Sequence, residues 1–399
     1  MDKKKVCFIA ENALGGIVNI NRALIGLLDP QRFEFSVVLV NYSWRQVTPA
    51  KDIFDEMGIQ VHILDISHER NKFKVLDTFQ QEVLSRQDLI IATDKYELIA
   101  YSIGRLKVPV IFMIHSNFEP FYATAEYFRN IIDCYICISE EILARLNHFL
   151  SDKPGIFEAL YLPHAIPDIE LPYADVTSRP FTVAFIGRFN AIKGSDVVLQ
   201  VGVALKEKGA QFNFIIISNG VEEEAFKEKW AFNDNTSFYS NIPNREVQEQ
   251  IVNAQAVLMP SRLEGFPVVL IEAMRRGVVP VCSDIATGFP ELVEDGVTGF
   301  RISTSHPGRF ADTLISLSQD RDKLGRISNA AIRVVNEKFD PAKNSARYRD
   351  VFLNVMKRVR EKGFPDITHQ LGKFDKPFIP HQLIKFIKHF YKPTNQMFL

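Results

Sequence analysis

Short apolar runs alternate with stretches of helical spacing through the first third of the chain. Runs at 6–10, 33–40, 60–66, 88–93, 108–115 and 134–139 read as buried strands, with helical patterns between most of them, as at 19–28 and 72–84. This alternation predicts a doubly wound parallel sheet. The segment 168–180 contains Pro172 and Pro180, shows no periodicity and reads as a linker. The alternation then restarts, with strands at 181–188, 212–218, 236–240, 256–260, 279–283 and 299–302. The expected fold class is α/β, with two tandem Rossmann-like domains facing a cleft and ligands at the carboxyl ends of the strands. The domains divide as 1–167, a linker at 168–180, a second domain at 181–345, and C-terminal helices with a basic, aromatic tail at 346–399.

The tail holds Leu383, Ile384, Phe386, Ile387, Phe390 and Tyr391 at helical spacing, with Lys385, Lys388, His389 and Lys392 on other faces. Such a helix either docks on the first domain, the placement expected here, or lies on a membrane surface.

With 399 residues, 46% hydrophobic and 24% charged, the chain has room for two packed domains. A formal net charge of −1 gives no broad attraction to nucleic acid or membrane. Met1-Asp2-Lys3-Lys4-Lys5 resembles the start of a signal peptide, but the apolar run that follows is short and Glu11 and Asn12 interrupt it. It reads as a first strand, and no stretch reaches membrane-spanning length. Cys7, Cys134, Cys137 and Cys282 all fall in apolar runs, as buried thiols of a reducing compartment do. Cys134 and Cys137 have CxxC spacing, yet an odd separation in a strand puts them on opposite faces. A cytoplasmic protein is expected.

The chemistry concentrates on 260–274. This segment leaves the strand at 256–259, passes through Glu264-Gly265-Phe266-Pro267-Val268 and enters a helix that stops at Gly277. Gly265 permits close approach of backbone, and Pro267 suits a first helical turn. A helix N-terminus at the end of a parallel strand presents unpaired N–H groups and the positive end of the helix dipole, which favours an anion such as phosphate. Glu264 lies in the loop beside that position. Glu272 lies two turns into an apolar helix, where it either faces out and pairs with Arg275 or Arg276, or turns to a ligand.

A second glycine corner, Gly187-Arg188-Phe189-Asn190-Ala191-Ile192-Lys193-Gly194, follows the strand at 181–188. Arg188 and Lys193 suit a diphosphate, the first as a planar fork and the second as a point charge. A third corner, Gly15-Gly16, follows the first strand and opens a helix. Two cations and a helix N-terminus on one anion, flanked by two carboxylates that accept from hydroxyls, suit a nucleotide-sugar. No DxD stands at a strand end, and Asp320-Arg321-Asp322 reads as a helix cap, so no essential metal is expected.

Gly187-Arg188-x4-Lys193-Gly194, with Glu264-Gly265-Phe266-Pro267-x4-Glu272-Ala273, resembles the family-4 retaining glycosyltransferases of the GT-B fold, the glycosyl transferases group 1. The resemblance is strong from 183 to 302 and weaker from 6 to 139. It implies that Arg188 and Lys193 neutralise the donor diphosphate and that Glu264 contacts the donor sugar. It further implies that the backbone N–H groups of Gly265, Phe266 and Val268, at the turn around Pro267, serve sugar and phosphate, and that Glu272 holds the ribose. By the same resemblance, Gly16 would let its loop approach the donor phosphates, and His115 would stand beside the reacting sugar. Ser139-Glu140 matches a structural phrase without a chemical role. The resemblance also implies retention at the anomeric carbon and a glycan or lipid-linked acceptor in surface polysaccharide synthesis. The donor expected is a nucleotide-diphosphate sugar, UDP-linked in preference to GDP-linked, with no cofactor and no nucleic-acid partner. The tail allows peripheral contact with the inner face of a membrane.

The chain departs from the family at Pro163-His164-Ala165-Ile166-Pro167-Asp168, at Ser218-Asn219-Gly220 and at Ser240-Asn241-Ile242-Pro243. These departures bear on the base and the acceptor, not on diphosphate binding. A sugar-nucleotide epimerase and a non-catalytic nucleotide-sugar scaffold are the competing functions.

Overall fold

The computed structural model describes residues 2–42, 49–66, 71–153, 157–176, 180–218, 222–286, 288–358, 361–372 and 375–379. The chain forms two compact units, one of residues 1–138, 142–165 and 342–399, the other of 139–141 and 166–341.

The first unit runs β1 (Lys4–Glu11), α1 (Gly16–Leu27), β2 (Phe33–Asn41), α2 (Lys51–Asp55), β3 (Gln60–Asp65), α3 (Lys72–Glu82) and β4 (Leu89–Ala92). It continues with α4 (Lys95–Gly104), β5 (Val110–Ile114), α5 (Glu119–Tyr127), β6 (Cys134–Cys137), α6 (Glu140–Leu150) and β7 (Ala159–Tyr161). Its seven strands lie in the order β3-β2-β1-β4-β5-β6-β7, and each pairing is parallel. The central strands β4, β5 and β6 are buried at every position, which is why they read as continuous apolar runs.

The second unit runs β8 (Thr182–Ile186), α7 (Ser195–Glu207), β9 (Asn213–Ser218), α8 (Glu223–Trp230), β10 (Thr236–Ser240) and α9 (Asn244–Ile251). Then come β11 (Ala256–Met259), α10 (Val268–Arg275), β12 (Val279–Ser283), β13 (Phe300–Ile302), α11 (Pro307–Gln319) and α12 (Arg321–Lys338). The order β10-β9-β8-β11-β12-β13 is again parallel throughout and is the Rossmann order, reversing between the first and fourth strands. One apolar cluster, including Val183, Phe185, Val198, Phe214, Trp230, Leu258, Val281 and Leu314, fills this unit. Asp320 caps α12 by accepting from the Lys323 backbone N–H at 2.8 Å, as its sequence suggested.

The last helix, α13 (Pro341–Met356), is grouped from residue 342 onward with the first unit. Phe352 meets Phe8 edge-on at 6.1 Å, and the Tyr348 hydroxyl donates to the Leu162 carbonyl at 3.2 Å. Beyond it, the Lys362 ammonium reaches the Asp133 carboxylate, with both side chains almost fully buried. The Asn71 amide donates to the carbonyls of Lys376 at 3.0 Å and Ile379 at 2.8 Å. The helical pattern expected from Phe378 to Lys392 falls almost wholly outside the described residues, as do Asn219 and Gly220.

The predicted strands are present, several a residue or two shorter at the carboxyl end. β7 is the exception: three half-buried residues at a sheet edge carry too little apolar pattern to be read as a strand. All four cysteines are free and buried. Burial pushes the Cys7 and Cys137 thiols up to about 12, so neither is a thiolate nucleophile at neutral pH.

Candidate functional site

Strand order places the site. β8 and β11 are neighbours, with Val183 opposite Ala256 and Ala184 opposite Val257. They flank the point where the order reverses, so the loops leaving their carboxyl ends start side by side.

The loop after β8 is anchored by Phe189, whose ring stacks on Phe226 at 4.2 Å, and Phe226 stacks in turn on Trp230 at 5.6 Å. The Asn190 side chain accepts from the Lys193 backbone N–H at 2.9 Å and shapes the turn. Gly194 then adopts φ +70° directly beneath the other loop. The loop after β11 grips this turn through Arg262, whose backbone N–H donates to the Ile192 carbonyl at 2.8 Å. Its guanidinium donates to the Ala191 carbonyl and forms a two-pronged pair with Asp196, all at 2.7 Å. The hydrogen bond from Arg262 holds the Asp196 carboxyl below the usual carboxylate range.

Arg188 is exposed and, among the described residues, has no ion-pair partner. Lys193 Nζ lies 2.6 Å from Glu264 Oε1, and the Ser261 hydroxyl donates to the same oxygen at 2.7 Å. Glu264 is only 7% exposed. Two groups expected on different parts of a ligand are therefore bonded to each other. An ammonium has three N–H donors, so this pairing orients Lys193 without exhausting it.

The helix α10 opens beside them. Pro267 occupies the capping position just outside the helix, one residue earlier than expected, and no side chain caps the end. The helix dipole there favours an anion. Phe266 packs its ring against Phe339 at 5.3 Å, so its side chain belongs to the core and only its backbone faces the loop chemistry.

Glu272 does not face out. It is 6% exposed, and its Oε1 accepts from Gln248 Nε2 at 3.0 Å and Asn244 Nδ2 at 3.2 Å. The outward-facing placement that helical spacing allows is thereby overturned. Arg275 instead donates to the carbonyls of Ile166, Pro167 and Phe339 at 2.9, 3.2 and 3.0 Å. Arg276 donates to Leu171 at 2.9 Å and also reaches Asp168 and Ile169. Both guanidiniums tie down the segment after the first unit, because buried backbone carbonyls need donors as much as a carboxylate needs cations. Asn241, standing where the family often has glycine, adopts φ +52°, a region asparagine tolerates better than most side chains.

Gly16 and His115 belong to the first unit. Gly16 opens α1 behind β1, and a Cβ built there meets nothing within 4 Å, so packing does not require a glycine. His115 follows β5 and is 7% exposed, with neither ring nitrogen hydrogen-bonded among the described residues. Its ring stacks on His164 at 6.2 Å and 14°, a neighbour that sequence reasoning gave no role. Burial pushes His115 down to about 4, and burial followed by the charge of His115 pushes His164 down to about 3. Both rings are neutral at neutral pH and can donate or accept, but not act as resident cations.

This pair makes stability depend on pH. Below 6.5 the unfolded histidines take up protons that the folded ones refuse, so stability falls as pH drops from 6.5 towards 4 and the loss is complete below the folded values. Between pH 7.5 and 5 the expected loss is about 2 kcal/mol per histidine. Melting curves of the wild type and of His115→Phe/His164→Phe across that range measure it. The variant should lose less stability on acidification, and parallel curves would show that the pair does not titrate on unfolding.

Residues 175–334 match the family described as glycosyl transferases group 1. Among curated proteins, the putative colanic acid biosynthesis glycosyltransferase WcaL of Escherichia coli (strain K12) is 30% identical over 173 residues, covering 41% of this chain and 42% of that protein. The amylovoran biosynthesis glycosyltransferase AmsK of Erwinia amylovora is 29% identical over 179 residues, covering 43% and 44%. The chain thus spans less than half the length of these relatives in alignment. Among solved structures, Anabaena Alr3699/HepE in complex with UDP and glucose superposes with a TM-score of 0.70 at 18% identity, covering 88% of this chain and all of that one. That likeness shows the fold, the two-domain α/β architecture of the GT-B glycosyltransferases. No described helix is long and apolar enough to cross a membrane.

Proposed function

We infer, from the match of residues 175–334 to the group 1 glycosyltransferases, that this protein moves a sugar from a nucleoside-diphosphate sugar to a hydroxyl acceptor with retention of configuration. The observation that carries the reading is the stitched pair of loops in the second unit. They hold Lys193 and Glu264 together at the strand ends, with Arg188 at the start of the first loop and the uncapped N-terminus of α10 following in the second.

Breaking the sugar–phosphate bond leaves negative charge on the diphosphate. Arg188, Lys193 and the backbone N–H groups of Gly265, Phe266 and Val268 leading into α10 stabilise that charge as it develops, and this lowers the barrier. Glu264, held by Lys193 and Ser261, accepts from sugar hydroxyls, and Glu272 accepts from the ribose. In the first unit, the neutral His115 serves as a hydrogen-bonding partner for the sugar, and Gly16 leaves its helix start open to an anion. UDP is the favoured nucleotide, supported by the UDP complex of HepE. A glycan or lipid-linked acceptor in exopolysaccharide assembly is supported by the names of WcaL and AmsK. Such an acceptor would bring the protein to the inner face of a membrane.

The test is incubation with UDP- and GDP-sugars, with and without candidate acceptors, following free nucleoside diphosphate and product mass. Nucleotide release that needs acceptor is the expected result. An altered sugar without transfer would mean epimerisation, and saturable binding without turnover would mean a scaffold.

A further inference from the structure

Glu272 has unusual company for a buried carboxylate. Arg275 ends α10 and Arg276 follows it, yet both donate to backbone carbonyls elsewhere. Glu272 Oε1 accepts from two neutral amides of α9, Asn244 and Gln248, one helical turn apart. Gln248 is itself 5% exposed, and its Nε2 also donates to Asn244 Oδ1 at 3.1 Å, which locks the two amides to each other.

Neutral donors fix the orientation of a carboxylate without cancelling its charge. A guanidinium there would hold the group equally well but would neutralise it and compete with incoming hydroxyls. We propose that Asn244 and Gln248 are positioning residues that fix Glu272 as the acceptor of the ribose hydroxyls, and so set the preference of the nucleotide site for ribose over deoxyribose. This assignment rests on the nucleotide-sugar reading above and adds to it the α9 residues that the glycosyltransferase motifs do not include.

The experiment is calorimetric binding of UDP and GDP, each beside its 2′-deoxy and 3′-deoxy analogues, to the full chain and to Gln248→Met. Asn244→Ser, at the more exposed position, serves if Gln248→Met folds poorly, as judged by its melting curve. Wild type should favour at least one ribonucleotide over a deoxy analogue by about tenfold, the size expected of a hydrogen bond to a charged acceptor. In the variants the ribonucleotide should weaken to about the level of its deoxy analogue while the analogue itself changes little, because the lost interaction is specific to the hydroxyls. With a transferable donor, KM should rise while kcat changes less than about threefold, the pattern of lost ground-state binding. Equal weakening of ribo and deoxy ligands would reduce Asn244 and Gln248 to structural residues and overturn the assignment. Nucleotide binding without ribose discrimination in the wild type would also overturn it while leaving the nucleotide site standing. Failure of wild type to bind either nucleotide would remove both readings together.

Discussion

Lys193→Ala should lower turnover by about 100- to 1,000-fold, the range seen when one preorganised charge-stabilising donor is removed. The structure adds a second consequence. Lys193 lies 2.6 Å from a Glu264 carboxylate that is 7% exposed, so the variant takes the ammonium away from a buried carboxylate and keeps the hydrogen bond from Ser261. Partial exposure of the lysine moderates the loss, and a drop of about 1–3 kcal/mol in stability is expected. The two effects separate in a double variant. Lys193→Ala/Glu264→Gln removes that buried charge and should recover most of the stability, but none of the turnover. Melting curves alongside steady-state kinetics give both readouts. Near-normal turnover in Lys193→Ala would contradict the role given to this lysine.

Gly194→Ala should be at least as damaging, for a different reason. A Cβ on residue 194 would stand 2.1 Å from the Pro260 carbonyl oxygen and 2.8 Å from its carbon. Both are backbone atoms, so no side-chain rotation relieves the clash and the two site loops must part. Left-handed backbone costs an L-residue about 1–2 kcal/mol by itself, and the clash should bring the total to about 3 kcal/mol or more. Gly209→Ala is the matched control. It has φ +66° with open space around its Cβ, so it carries the backbone cost alone. The difference between the two melting curves measures how tightly the loops are pressed together. Turnover should fall with Gly194→Ala and hold with Gly209→Ala. Equal effects would mean that the loop contact contributes nothing.

The contrast between those glycines shows what could be read from the chain alone. The strands were legible because parallel strands buried on both faces are written as apolar runs. Their order was legible only as a class, and the order is what makes the site. Lys193 and Glu264 are 71 positions apart, and they meet because β8 and β11 happen to be neighbours at the reversal of the sheet. The Arg262–Asp196 clamp depends on the same adjacency. Helical spacing offered Glu272 two arginines. It could not reveal that those arginines were needed by carbonyls at 166–171 and 339, or that α9 would turn two amides towards α10. His164 lay in a phrase that departs from the family pattern, and only the packing of the first unit shows its ring against His115.

A crystal structure with bound UDP tests the diphosphate assignment most directly. The expected result is a diphosphate within hydrogen-bonding distance of Arg188, Lys193 and the first-turn N–H groups of α10, with the ribose on Glu272. UDP bound elsewhere on the second unit, with both cations turned away from it, would contradict the assignment.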